Sequence, residues 1–236
     1  MLDRPSQQLP VTDLGLLEYG AALAAQRQWH ARVVAGESFG TILVTEHPPV
    51  LTFGYNADRR YLKFAEGMLK ERGIATFDVE RGGDVTAHEP GQLVVYPILN
   101  PSHWRLTPKS YVCLLEDVVI KTLCDFGVIG ARDPEHPGVW VGAEKVCAVG
   151  VRIKNRVTLH GIALNVTNDL GLFDLIVPCG IAGRGVTSMA KLGVPAGFDA
   201  VKAALVGRLE REIRGRLLKE LPQSADTPIV PATCRT

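Results

Sequence analysis

The chain has 236 residues, 46% of them apolar and 22% charged, with a formal net charge of +1. That is an ordinary globular composition, long enough for one large domain or two small ones. No stretch approaches the roughly 18 consecutive apolar residues of a membrane span, and the near-neutral charge gives no general drive toward nucleic acid. The first fifteen residues, MLDRPSQQLPVTDLG, lack an apolar core and an Arg-rich bias, so neither a secretory signal nor a transit peptide is expected. The expectation is a cytosolic protein with a loose N-terminal tail over 1–12. Five cysteines, an odd number without CxxC spacing, argue against a disulfide framework or a zinc site, and six scattered histidines form no HxH or HExxH pair.

In chain order, residues 13–34 place Leu17, Ala21, Leu23, Ala24, Trp29 and Val33 at helical spacing. Two short β-like runs follow, 41–45 and 50–53, separated by Pro48-Pro49. Residues 58–72 resemble a charged helix stopped by Gly73. "ATFDVERGG" and "QLVVYPIL" are strands on either side of a glycine-rich loop. "TPKSYVCLLEDVVIKTLCDFG" is a helix with Thr107 as N-cap, Pro108 in the first turn and Gly127 as the stop. Cys113 and Cys124 fall in its apolar pattern and are assigned to core packing. Three strand-like runs occupy 138–166, an amphipathic helix 198–218, and the Pro- and Thr-rich end from Pro222 is a second loose tail. Strands and helices mix without a βαβ rhythm, which predicts an α+β fold. The expected domain covers 13–220, with 221–236 outside it.

Four segments carry polar or ionisable residues beside glycine. In "RGGDVTAHEPGQ" (81–92), paired glycines let the backbone approach a ligand and Arg81 can hold an anion, or the segment is a hairpin loop with a surface arginine. No GxxxxGK[ST] occurs, so it is not a P-loop. In "GAEKVCAVGVRI", strand alternation puts Lys145, Cys147 and Val149 on one face. Lys145 is then a solvated strand end, unless a partner lies across from it. His160-Gly161 interrupts the apolar run "TLHGIALNV", where a histidine is either structural or catalytic. In "IVPCGIAGRGVTSM" (176–189), Cys179 sits before a glycine-rich turn whose N–H groups could stabilise a thiolate or an oxyanion. Cys179 is a candidate nucleophile, against the alternative of a buried turn cysteine.

Taken together and in this order, "EHPPVLTFG" (46–54), "RGGDVTAHEPGQLVVYPI" (81–98), "GVWVGAEKVCAVGVRI" (138–153), "TLHGIALNV" (158–166) and "IVPCGI…VTSM" (176–189) resemble the lipoyl(octanoyl) transferases of the LipB type, the octanoyltransferase family. The resemblance implies a cytosolic acyltransferase with the mixed-sheet catalytic fold shared by biotin and lipoate protein ligases. By the same resemblance no cofactor, metal or ATP is expected. It implies transfer of an octanoyl chain from octanoyl-acyl carrier protein to a lysine of a lipoyl domain, on 2-oxoacid dehydrogenase subunits and the glycine cleavage H protein, with no nucleic acid or membrane partner. By the same resemblance Cys179 carries the acyl group and Lys145 is its partner. The substrate site would be lined by Arg81, Gly82, Gly83, Asp84, Val85, Thr86, Ala87 and His88, and by the small-residue turns Ala148-Val149-Gly150 and Gly161-Ile162-Ala163. His88 and His160 would shape the pocket.

Two residues depart from the family pattern. Glu89 stands where glycine is usual, and is strained if that position needs a positive φ; Cys147 stands where alanine is usual and is a competing thiol. Arg152, Lys154 and Arg156 would form a basic stripe on one strand face, and Arg59, Arg60 and Lys63 a second cluster, either of them suited to an acidic carrier. The rival readings are an ATP-dependent lipoate or biotin ligase, a cysteine hydrolase using a Cys-His pair, and a non-catalytic acyl- or carrier-binding protein.

Overall fold

The fold opens on a strand where a helix was expected. The computed structural model describes residues 9–64, 66–176 and 184–218. Within them β1 (Val11–Leu16) pairs in parallel with β2 (Gly40–Glu46), and α1 begins only at Tyr19, ending at Val34. The reason lies in Gly15, whose φ of +62° breaks a helical run, and in β2, which offers the segment an edge. The Ile42 amide and the Thr41 hydroxyl both donate to the Pro10 carbonyl. Val11 and Thr12, placed in the tail by the sequence, thus belong to β1.

The Pro48-Pro49 break separates β2 from β3 (Val50–Phe53). Little of the helix expected over 58–72 forms. Asp58 instead accepts from the Arg60 amide and caps a 3-10 turn over 59–61, leaving only the short helix α2 (Glu66–Glu71) before Gly73 at φ +71°. β3 pairs in parallel with β4 (Ala75–Asp78) and antiparallel with β5 (Val85–His88), making a three-stranded sheet. β5 lies inside the segment expected to be loop.

The larger sheet has seven strands in the order β1-β2-β6-β10-β9-β8-β7, adding β6 (Gln92–Leu99), β7 (Ala131–Arg132), β8 (Gly138–Val141), β9 (Glu144–Lys154) and β10 (Val157–Asn165). β6 and β10 are buried along their whole length, as centre strands should be. One sheet face packs on α3 (Pro108–Asp125) and α4 (Phe198–Leu218), burying Val95, Leu115, Val119, Leu164 and Leu205 together. The other packs on α1, through Ala22, Val94, Tyr96 and Ala163. Helix α3 starts as its sequence dictates, with Thr107 and Ser110 forming a reciprocal capping box. Its cysteines do not pack as expected: Cys113 is half-buried and Cys124 exposed. The result is one α+β domain of mixed sheets flanked by helices.

Two irregularities bear on the site. Pro97 has no N–H to contribute in a central strand, and the Thr158 hydroxyl fills in, accepting from the Leu99 amide at 2.9 Å and lying 2.7 Å from the Pro97 carbonyl. In β9 a bulge sets in where Trp140 pairs with Lys145 but Val139 with Cys147. Cross-strand partners share a face, so Val139, Val146 and Cys147 join the core under α3, while Lys145 and Trp140 face the other way. The expectation that Lys145 and Cys147 share a face is overturned by that extra residue.

Candidate active site

A cavity of about 470 Å³ lies between the two sheets, lined from β5, β6, β9 and β10 and from the loop 81–84. Glycines bring that loop in. A side chain at Gly54 would lie 2.3 Å from the Gly83 carbonyl, and one at Gly150 would lie 3.0 Å from the Arg81 side chain. The Gly82 amide donates to the Val151 carbonyl at 3.1 Å, tying the loop to β9. At Gly161 a Cβ would meet the Val95 carbonyl at 2.2 Å, so β6 and β10 can close only on glycine there.

Arg81 is almost buried, with Nη2 donating to the Thr52 carbonyl at 2.7 Å and to its hydroxyl at 3.0 Å. Its positive charge sits beside a group of aromatic and imidazole rings. His88 Nδ1 donates to Gln92 Oε1 at 2.7 Å; Gln92 Nε2 donates to Asn165 Oδ1 at 2.8 Å; Asn165 Nδ2 donates to the Thr187 carbonyl at 2.9 Å. Behind them, His47 Nδ1 donates to the Leu17 carbonyl and its Nε2 accepts from the Tyr96 hydroxyl at 2.8 Å. Tyr19 stacks on His88 with ring centres 5.9 Å apart.

Burial, helped by Arg81, holds the His160 imidazole down at about 3, and burial with neighbouring His47 holds His88 well below its ordinary range. Burial lowers His47 as well. It lifts the Tyr19 phenol to about 12 and Tyr96 well above its usual value. These rings are therefore neutral at physiological pH beside the Arg81 guanidinium.

Lys145 is 8% exposed at the cavity's other side. Its Nζ donates to the Pro137 carbonyl at 3.2 Å and lies 4.7 Å from the centre of the Trp140 ring. Its backbone pairs with the returning chain: the Lys145 amide donates to the Gly185 carbonyl, and the Thr187 amide to the Lys145 carbonyl, each at 3.0 Å. Arg184 stacks on the same Trp140 ring at 3.9 Å and bridges to Asp133, whose carboxyl it holds down at about 2.

Of the expected site residues, Arg81 to Thr86, His88, Lys145, Ala148 to Gly150 and Gly161 to Ala163 all border this cavity. Ala87 does not: its side chain packs into the smaller core with Leu51, Phe53 and Phe173. Cys179 lies outside the described residues. Cys147 is fully buried under α3, and burial pushes its thiol up to about 12. Glu89 adopts no positive φ; its carboxylate accepts from Asn168 Nδ2 and from the Leu170 amide, both at 2.9 Å. Residue 89 is therefore not strained.

Sequence reasoning passed over Tyr19, Gln92, Tyr96, Asn165 and Phe173, all of which line the cavity. Gln92 and Asn165 stood inside quoted motifs, and a polar residue ending an apolar strand was the available signal. Tyr19 and Phe173 gave none, since an aromatic residue at a helix start or in a turn is ordinary packing.

Residues 18–210 match the model of the lipoyl protein ligase A/B catalytic domain. An octanoyltransferase of Solibacter usitatus is 46% identical over 80% of this chain and 85% of its own. One of Alkaliphilus metalliredigens is 44% identical over 80% and 88%. In fold the chain is similar to lipoate-protein ligase A bound with ATP, at a TM-score of 0.66 and 15% identity over 90% of this chain and 94% of that one. It is similar also to biotin protein ligase from Aquifex aeolicus, at 0.53 and 14% over 90% and 72%. With its catalytic-domain match and relatives of this identity and coverage, the chain belongs to the octanoyltransferase family of acyltransferases.

Proposed function

We propose that the protein moves an octanoyl group from octanoyl-acyl carrier protein to a lysine of lipoyl domains, through a thioester on Cys179. The supporting observation is the placement of Lys145: buried at the cavity wall, with its backbone bonded to Gly185 and Thr187, a few residues beyond Cys179 in the chain. In the first step the Cys179 thiolate attacks the carrier thioester, the carrier thiolate leaves, and Lys145 supplies its proton. The product is another thioester, so the acyl group stays activated without ATP. In the second step the acceptor lysine amine attacks, Lys145 takes its proton, and Cys179 leaves as thiolate while the amide forms. Arg81 and the neutral rings around His88 and His160 shape the cavity and exchange no proton. The expected acceptors are 2-oxoacid dehydrogenase subunits and the glycine cleavage H protein, in the cytosol.

The exposed basic end of β9 suits an acidic carrier. Arg156 is not on the strand as expected: Asn155 and Arg156, at φ 49° and 64°, form the hairpin turn between β9 and β10. Arg152 and Lys154 precede it on β9, with Lys154 3.7 Å from Glu80. Arg59 and Arg60 each already face a carboxylate, Asp78 and Asp58, which favours the 152–156 end as the docking surface.

Intact-mass spectrometry after mixing with octanoyl-carrier protein, without ATP, tests the chemistry. A hydroxylamine-labile octanoyl adduct is expected on wild type, absent from Cys179→Ser and formed at least about a hundredfold more slowly by Lys145→Ala. An adduct that persists in Cys179→Ser moves the nucleophile elsewhere. Activity that appears only with ATP assigns the protein to the ligases.

A further inference from the structure

The strands that wall the cavity contribute small and β-branched apolar side chains, Val94, Ala148, Val149, Ile162 and Ala163, whose positions the ladder fixes. Phe173 is different. It is the largest purely hydrocarbon side chain on the wall, and it comes from the 3-10 turn Gly171–Leu175, outside both sheets. The residue that starts this turn, Leu170, has a φ of 71°, a left-handed conformation that costs a non-glycine residue free energy. Something must hold it there.

Glu89 does so from the β5–β6 connection. Its Oε1 accepts from the Leu170 amide and from Asn168 Nδ2, each at 2.9 Å, and the Leu172 backbone adds a further bond. Asn168 Nδ2 also reaches Asn165 Oδ1 at 3.2 Å, on the cavity wall. The far end of the turn is held by the Lys63 amide, which donates to the Leu175 carbonyl at 2.9 Å, and by the packing of Leu175 in the smaller core. A buried carboxylate is a costly choice for a latch, since burial pushes Glu89 toward its neutral form. It accepts several N–H groups at once, which a neutral side chain in this place does less well.

We propose that the turn Gly171–Leu175 sets the length of acyl chain the cavity admits, with Phe173 as the limiting wall and Glu89 as the positioning residue that holds it. This rests on the reading that the cavity holds the acyl chain, and it goes beyond that reading by assigning chain-length selection to two residues. Strand side chains cannot retreat without breaking a ladder, whereas the turn lies outside both ladders and is held by the Glu89 carboxylate, the Lys63 amide and its packing in the smaller core. Truncating Phe173 opens room for further methylenes; removing Glu89 frees the turn.

The test compares wild type, Phe173→Ala, Glu89→Ala and Glu89→Gln. Calorimetry gives dissociation constants for octanoate and dodecanoate, and the rate of adduct formation is measured with octanoyl- and dodecanoyl-carrier protein. Phe173→Ala is expected to shift the dodecanoate-to-octanoate preference by roughly tenfold toward the longer chain. Glu89→Ala is expected to shift it the same way by less, and Glu89→Gln, which keeps an acceptor oxygen, to restore the wild-type ratio. Should Phe173→Ala not fold, by circular dichroism, Phe173→Leu takes its place with a smaller shift in the same direction. If acyl chains bind and adducts form in every variant while the ratio stays at its wild-type value in both Phe173 variants, the wall is overturned. A shift in Phe173→Ala without one in Glu89→Ala overturns the positioning role alone. If wild type binds neither fatty acid and forms no adduct, the underlying reading fails and takes this proposal with it.

Discussion

Cys147 and Lys145 stand two positions apart in the chain and in opposite environments. Cys147 is sealed in hydrocarbon under α3, and its thiol, pushed up to about 12, holds a vanishing thiolate fraction near neutrality. Iodoacetamide at pH 8 should leave Cys147 unlabelled in the folded chain and label it once urea is added, read by peptide mass mapping. Labelling of the folded protein at that position would restore it as a competing nucleophile. The buried imidazoles make a separate prediction. His47, His88 and His160 have folded values depressed below 6.5. Their neutral state contributes stability in full above that value, and it is lost as pH falls below it, because the unfolded chain then takes up protons the fold refuses. Urea denaturation at pH 5.5 should therefore show a loss of about 1 kcal/mol per histidine relative to pH 7.5. A midpoint unchanged between the two would mean that the rings are charged or hydrated. Glu89 works in the opposite sense. Its folded value is raised, so its anion costs stability as pH rises through the ordinary glutamate range, and Glu89→Gln should lose that dependence.

At the scale of elements, what the sequence made legible was whatever local chemistry decides. Helix α3 is bounded by a Thr107 cap and a Gly127 stop, and both signals are local. Helix α4 carried a clear amphipathic period and runs over the expected 198–218. β1 was missed because its residues favour no strand by themselves; the edge of β2, remote in sequence, draws them in. β5 was taken as loop because glycine and polar residues crowd its ends, and the pairing with β3 that makes it a strand is equally remote. Thr158 shows the same limit at finer grain. Nothing in "RVTLHG" announces that its hydroxyl serves the Leu99 amide across the gap Pro97 leaves. Thr158→Val keeps the shape and removes the acceptor, stranding a buried N–H. A loss of about 1–3 kcal/mol in urea unfolding is expected, with Thr158→Ser recovering most of it. A neutral Thr158→Val would mean that the strands close up without it.

For the whole molecule, the ordered motifs carried the family, the fold and most of the cavity wall. The described parts of these runs converge because the small-residue turns and the loop 81–84 are brought together by backbone approach, which glycines announce in a sequence. The ring cluster behind the loop was not legible, since its members come from α1, the β2–β3 connection, β5, β6 and β10 and meet only in the fold. Charge is also a whole-molecule property. If carrier docking uses the 152–156 end, Arg152→Glu with Arg156→Glu should raise the KM for carrier several-fold at low ionic strength, and less in 0.5 M salt, with kcat little changed. Equal KM values for the double variant and wild type at low salt would place the carrier on another face.

The extra residue in β9 has a consequence for anyone reading related chains. A strand with one bulge has two phases: Glu144 and Lys145 pair with Val141 and Trp140, whereas from Cys147 onward the residues pair with Val139 and Gly138 of β8 on one side and with β10 on the other. Without that half-period slip the ammonium of Lys145 would point into hydrocarbon beside Cys147. Alternation counted across the slip assigns faces wrongly, and counted separately on each side assigns them correctly. The bulge is thus a seam that lets one strand send Lys145 and Ala148 to the cavity while Val146 and Cys147, side by side, go to the core.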